Sequence, residues 1–459
     1  MTHKRTRRTF LGDVGRGMLL ASLGPSLLKD LSLGAEPLGE DRTRLSFGAL
    51  EPLAQLFQES SPEQVQARVV ERLKAGVDLR TIVAAGALAN ARAFGGEDYN
   101  GYHAFMALTP AYEMAMQLPA AQRALPVLKV LHRNATFLQQ TDGDTHDTLR
   151  PIAIEHAAPG ADALGAGTKL RELVRARDLG GAEAAFVAHA KAPAEQAFDL
   201  VQAIVHDDIE VHRVMLAWRA WDVLRLTGAE HANTLLRQTI RFCIAAEPNR
   251  RVGDSDIRVL LPQLVEQHRL LDSRPLGSRA VEDAWIAELS QVIFAGERAA
   301  AASAVATALA DGYAPEAIGE AISLAANRLV LRDPGRKSAE GAAKPRGSVH
   351  GASTGVHASD SANAWRNIAR VTTRPSAVAS LIVGAHHTAG QSGRARSEPF
   401  TWTTEAEKLA VEKSGASLLS ELDAAVRANQ QARACAVVER YAALGEPAAP
   451  VFERLLQYA

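Results

Sequence analysis

The chain has 459 residues, with 51 Lys+Arg against 52 Asp+Glu, 14 His, 2 Cys and 47% hydrophobic residues. A formal charge of -1 argues against a protein built around a long nucleic-acid contact, and a 22% charged fraction beside that apolar content excludes a disordered chain. Two cysteines, Cys243 and Cys435, rule out a disulfide framework, a four-thiolate iron–sulfur cluster and a CxxCH haem attachment.

At the N-terminus, Thr6-Arg7-Arg8-Thr9-Phe10-Leu11 follows Lys4 and Arg5 and precedes the apolar stretch Met18 to Leu28. This resembles the twin-arginine (Tat) export signal. The resemblance implies a signal peptide over 1–35, the Tat export machinery as a partner and a periplasmic or otherwise exported location, tethered to the membrane if the peptide stays uncleaved. Residues 36–60 read as a linker. The apolar stretch is too short to span a bilayer, and no later segment approaches the ~18 apolar residues a transmembrane helix needs.

From Pro62 onward the pattern is helical. Val65 to Leu73 carries apolar residues at helical spacing with charges between them, and alternating β-branched runs are missing. Gly and Pro cluster at 159–167, 333–347 and 389–399, which read as loops between helical blocks. An internal repeat organises the rest. Tyr102 to Glu113 aligns with Val211 to Asp222 without a gap, so that His103 meets His212 and Met106 meets Met215. Val356-His357 through Trp365 is a third copy. Leu73-Lys74-Ala75-Gly76 matches Leu309-Ala310-Asp311-Gly312, and Val437 to Arg440 echoes Val69 to Arg72. The expected fold is all-α: a helical-repeat array of three related units, about 61–142, 168–248 and 296–392, with a partial fourth at 403–459, forming one compact domain.

The repeat gathers the histidines. Asp98, Asp207 with Glu210, and Ser353 each fit an N-cap just ahead of His103, His212 and His357, which then sit about one and a half turns inside their helices. The positive end of the helix dipole there favours neutral imidazoles suited to metal ligation. Ahead of each cap stand Glu97, His206 and His350. Twenty-nine residues beyond His103, His212 and His357 stand His132, Arg241 and His386. The candidate metal ligands are therefore His103, His132, His206, His212, His350, His357 and His386, with His387 as an alternative to its neighbour, since adjacent helical positions point about 100° apart. Asp208 lies four residues before His212, on the same helix face. Glu97 and Arg241 are the candidate catalytic groups, Arg241 to orient an anionic substrate or to pair with Glu97.

Other chemistries lack their motifs. No GxGxxG follows a strand, and GxxxxGK[ST], HExxH and CxxC are absent. Gly351-Ala352-Ser353-Thr354-Gly355 has the letters of a nucleophile elbow without the preceding strand, and reads as a helix-start loop. Cys243 lies in an apolar run as an inert thiol, and Trp218 and Trp221 read as core.

An all-α chain with histidine-bearing helices around His103, His212 and His357 is similar in outline to the questin oxidase-like proteins. That resemblance implies oxygen-using redox chemistry. The expectation is an exported, metal-dependent oxidoreductase acting on a small-molecule substrate. Its cofactor would be a transition metal ion, iron first, then zinc, copper or manganese. Two other readings stand beside it: a periplasmic helical-repeat scaffold with structural histidines, and a bis-histidine haem protein.

Overall fold

The computed structural model describes residues 44–458 apart from 141–147, 153–162, 251–255, 273–275, 342–343, 350, 352 and 410–413. The expected signal peptide at 1–35 lies outside the described residues, and so does His350. Within the stretch read as a linker, Glu51–Glu59 is a helix that buries Ala54 and Phe57.

The described residues are all-helical, with no strand and a single isolated bridge between Arg279 and Tyr313. Residues 43–399 make one unit by their contacts, and its helices fall into three repeats of five. Repeat one holds α1 (Glu51–Glu59), α2 (Pro62–Lys74), α3 (Leu79–Phe94), α4 (Tyr99–Gln117) and α5 (Ala124–Gln140). Repeat two holds α6 (Ala163–Arg175), α7 (Leu179–Val187), α8 (Ala194–Val205), α9 (Val211–Asp222) and α10 (Ala232–Ala246). After α11 (Ile257–Gln267), repeat three holds α12 (Asp283–Phe294), α13 (Arg298–Ala310), α14 (Pro315–Val330), α15 (Thr354–Val371) and α16 (Arg374–Ala389). In each repeat the first helix packs on the third, the second on the fifth, the third on the fourth and the fourth on the fifth. Repeats one and three thus begin one helix earlier than the sequence alignment alone suggests, while repeat two begins on the helix expected, Ala163–Arg175.

Small side chains set this packing. Helix α3 is buried almost all round, with Ala84, Ala85, Ala87, Ala89 and Ala91 on its surface. It starts on Asp78, which accepts from the Thr81 amide at 2.8 Å, and stops at Gly95 in the left-handed conformation. One apolar core runs through repeats one and two and reaches Trp365 and Ile368 of α15; a second fills repeat three. The fourth helices provide the seam, because α9 packs against both α4 and α15. That seam positions the candidate site.

Residues 400–458 form a unit of their own. Helices α17 (Thr403–Glu407), α18 (Gly415–Arg427), α19 (Gln431–Ala443) and α20 (Ala449–Leu456) enclose a small core of Leu418, Leu422, Val437, Tyr441 and Val451. No helix among the described residues is long and apolar enough to cross a membrane.

Candidate metal centre

Three helix starts deliver the repeat-aligned histidines. On α4, Asp98 caps the helix by accepting from the Gly101 amide at 2.6 Å, as the sequence suggests, and His103 follows inside the first turns. On α9 the cap is Glu210 rather than Asp207: its Oε2 accepts from the Arg213 amide at 2.8 Å. Asp207 is held instead by Arg175 at 2.7 Å and Arg171 at 3.2 Å, so the helix opens later and His212 is only its second residue. On α15, Ser353 occupies the cap position, while Asp333 accepts from the Gly355 amide at 2.6 Å. The letters resembling a nucleophile elbow are therefore a helix start.

A glycine two residues before the histidine recurs in two of these starts. A Cβ on Gly101 would come within 2.3 Å of the Phe94 ring on α3, and one on Gly355 within 2.7 Å of the Val330 backbone on α14. Both lacks of a side chain press the histidine-bearing helix onto the end of the preceding one.

The imidazole of His212 meets those of both His103 and His357. The ring centres of His103 and His212 lie 4.9 Å apart and those of His212 and His357 lie 5.7 Å apart, both edge-on. Tyr102 stacks on His103 at 4.8 Å, Tyr99 tilts over it at 4.4 Å, and Phe242 closes on Tyr102 at 5.3 Å. Nδ1 of His103 lies 2.6 Å from the Tyr99 carbonyl oxygen, and Nδ1 of His212 lies 2.5 Å from Glu210 Oε1. A carbonyl accepts only, so the His103 Nδ1 is the donor, and the Glu210 carboxylate makes the same demand of His212. Each neutral ring therefore keeps its Nε2 lone pair uncommitted to that bond. Metal-ligating histidines are oriented in this way, by a carbonyl or carboxylate on the far nitrogen.

The spacing fits one ion. An imidazole bound at ~2.0–2.1 Å has its centre about 3 Å from the ion, so two ligands of one ion have centres roughly 4.5–6 Å apart. The His103–His212 and His212–His357 separations fall in that range. Among the described residues no group of three or more His, Cys, Asp or Glu already surrounds a single point, so ligation by all three rings requires side-chain rotation.

Electrostatics favour the neutral form of the His103 ring. Burial pushes the His103 imidazole below its usual range, against the raising effect of the Tyr99 carbonyl, and His212 beside it adds to the lowering. Burial raises the Tyr102 hydroxyl, and the nearby Glu210 carboxylate raises it further. Asp360, three residues past His357 and hence on its face of α15, is raised by burial while Arg219 and His212 pull it back.

The remaining candidates lie elsewhere. His132 is exposed on α5, with Nδ1 2.9 Å from the Pro62 carbonyl. His206 is buried, its Nε2 2.9 Å from Ser380 Oγ and its ring stacked 5.8 Å from Trp365. His386 and His387 are both buried on α16; His387 accepts at Nδ1 from the Trp365 indole at 3.2 Å and has His357 as an electrostatic neighbour. Arg241 and Glu97 do pair, at 2.6 Å, and Arg241 also reaches Glu183 at 3.2 Å, which Arg237 holds at 2.9 Å. Both candidate catalytic groups are thus engaged in an ion-pair ladder. Asp208 is buried and accepts from the Ile209 amide at 2.8 Å. Trp221 stacks on Phe198 at 4.7 Å as core, and burial pushes the Cys243 thiol up to about 12.

Sequence reasoning missed Tyr99, Tyr102, Phe242 and Asp360 around the rings. Heptad-like position could have found Tyr99, Tyr102 and Asp360, since each lies three or four residues or one step from a repeat histidine. Phe242 had no such signal, because it comes from a helix of another role. Compared with known proteins, no family model, curated protein or solved structure matches the chain.

Proposed function

We propose that the chain is an exported, metal-dependent oxidoreductase whose transition-metal site is formed by His103, His212 and His357. The observation that carries this reading is the meeting of imidazoles from three repeats on the fourth-helix seam, with ring separations of 4.9 and 5.7 Å. The donor set supports it too: neutral nitrogen and carboxylate oxygen, with no thiolate, suits a borderline first-row ion. Export rests on the Arg7-Arg8 signal alone. A bound ion supplies Lewis acidity and one-electron exchange toward oxygen or a polar substrate.

The chain's own residues orient and enclose. Glu210 and the Tyr99 carbonyl fix the rings of His212 and His103. Tyr102 and Phe242 cover them and limit water. Asp360 offers a carboxylate beside His212 and Arg219.

The test is metal analysis of the full chain after exposure to iron, copper, zinc and manganese. Stoichiometric metal is expected, lost in His103→Ala and His212→Ala and kept in His132→Ala. A wild-type chain that takes up none of the four ions, with an unchanged melting temperature, would overturn the reading in favour of a scaffold.

A further inference from the structure

Resting on the metal site proposed above, we infer that its resident ion is copper and that Met106 and Met215 supply thioether sulfur beside the imidazoles. The two methionines recur at one register. His103 is followed three residues later by Met106 on α4, and His212 by Met215 on α9. Positions three apart share a helix face, with Cβ atoms about 5–6 Å apart, so each sulfur is carried on the side of the helix that carries the ring. Helices α4 and α9 pack on each other with the His103 and His212 rings 4.9 Å apart; Met215 is buried in the core there and Met106 packs against that core.

Methionine is also scarce and selectively placed. The chain has 6, and the four among the described residues are Met106, Met114 and Met116 on α4 and Met215 on α9. Elsewhere the core is filled by Ala, Val, Leu, Ile and Phe. A gap-filling role would scatter methionines through both cores, whereas these sit only on two histidine-bearing helices. Met114 and Met116 lie toward the other end of α4 and take no part.

Donor chemistry then selects the ion. Imidazole suits zinc, copper, iron and nickel alike, but thioether sulfur is a soft ligand that favours Cu(I) and is a poor partner for manganese or zinc. Cys243 does not compete as a thiolate, since it is buried with a strongly raised thiol. In the third repeat the matching position is Asp360, a harder oxygen donor that suits the oxidised ion. Two soft positions and one hard one accommodate both oxidation states.

The experiment loads the full chain with Cu(I) against a competing chelator and records X-ray absorption at the copper edge. A sulfur shell at roughly 2.3 Å beside nitrogen at about 2.0 Å is expected. In the double variant Met106→Leu, Met215→Leu, which nearly conserves volume, the sulfur shell should vanish and Cu(I) affinity should fall at least ~10-fold. Zn(II) affinity should stay within twofold. Copper bound through nitrogen and oxygen only, or a preference for iron or zinc over Cu(I), overturns the copper inference and leaves the metal site standing. Failure to bind any ion removes both. Should the double variant misfold, the wild-type absorption spectrum still decides.

Discussion

The fold holds two groups of histidines that differ in what their ring nitrogens meet. At the seam, His103 and His212 point Nδ1 at groups that only accept, the Tyr99 carbonyl and the Glu210 carboxylate. Around Trp365 the polarity reverses: the indole donates to His387 Nδ1, so the proton of that neutral ring sits on Nε2. His206, on the other face of Trp365, shares its Nε2 with Ser380. The first group is only part-buried and keeps lone pairs to offer; the second is 5% exposed or less and spends its nitrogens within the core. A histidine's partner at one nitrogen therefore states what the other can do, and separates candidate ligands from structural rings of the same residue type.

Acid is the strongest way to break the buried group. Burial, with Arg171 nearby, lowers the His206 imidazole to about 3, so the folded chain binds fewer protons than the unfolded one between that value and 6.5. Stability is then intact above the unfolded value and falls as pH drops through the window, by up to a few kcal/mol at about 1.4 kcal/mol per unit. Denaturant titrations from pH 7 to 4 should show this fall, and His206→Gln should reduce it, the remainder coming from His387, which burial likewise lowers to about 3. An equal slope in the variant would mean that another group governs the acid transition.

The seam should respond to a gentler change. Glu210→Gln keeps an oxygen for capping α9 but weakens the hold on His212, and should lower metal affinity by about 10–100-fold with little change in melting temperature. Trp365→Phe removes the indole donor from His387 and should do the opposite, costing ~1–3 kcal/mol of stability while metal affinity holds. If the two variants gave the same pattern, the distinction between the groups would fail. The smallest effect is expected at the ion-pair ladder. Arg241→Lys keeps the charge near Glu97 and Glu183 but loses the fork, costing about 1 kcal/mol, with metal content unchanged. Loss of metal there would return Arg241 to the site.

Much of this was legible in the sequence because the repeat is real at the level of helix packing. The alignment of His103, His212 and His357 placed them on equivalent helices, and those helices make the most extensive helix contacts across repeats. The same alignment misled for His132, Arg241 and His386. They are equivalent too, but on the fifth helices, where α5 packs back on α2, α10 on α7 and α16 on α13 within their own repeats. Equivalence in a repeat brings residues together only on elements that face the seam. The cap was read well at Asp98, set too early at Asp207 in place of Glu210, and missed where the acceptor comes from afar, as with Asp333 serving α15 across a loop. No pattern in one stretch of chain reports a partner supplied by another.

Because the imidazoles of α4, α9 and α15 come from three repeats, no single repeat carries a complete set of donors. Occupancy by an ion would then follow docking of every repeat, making the loaded state a record of finished assembly.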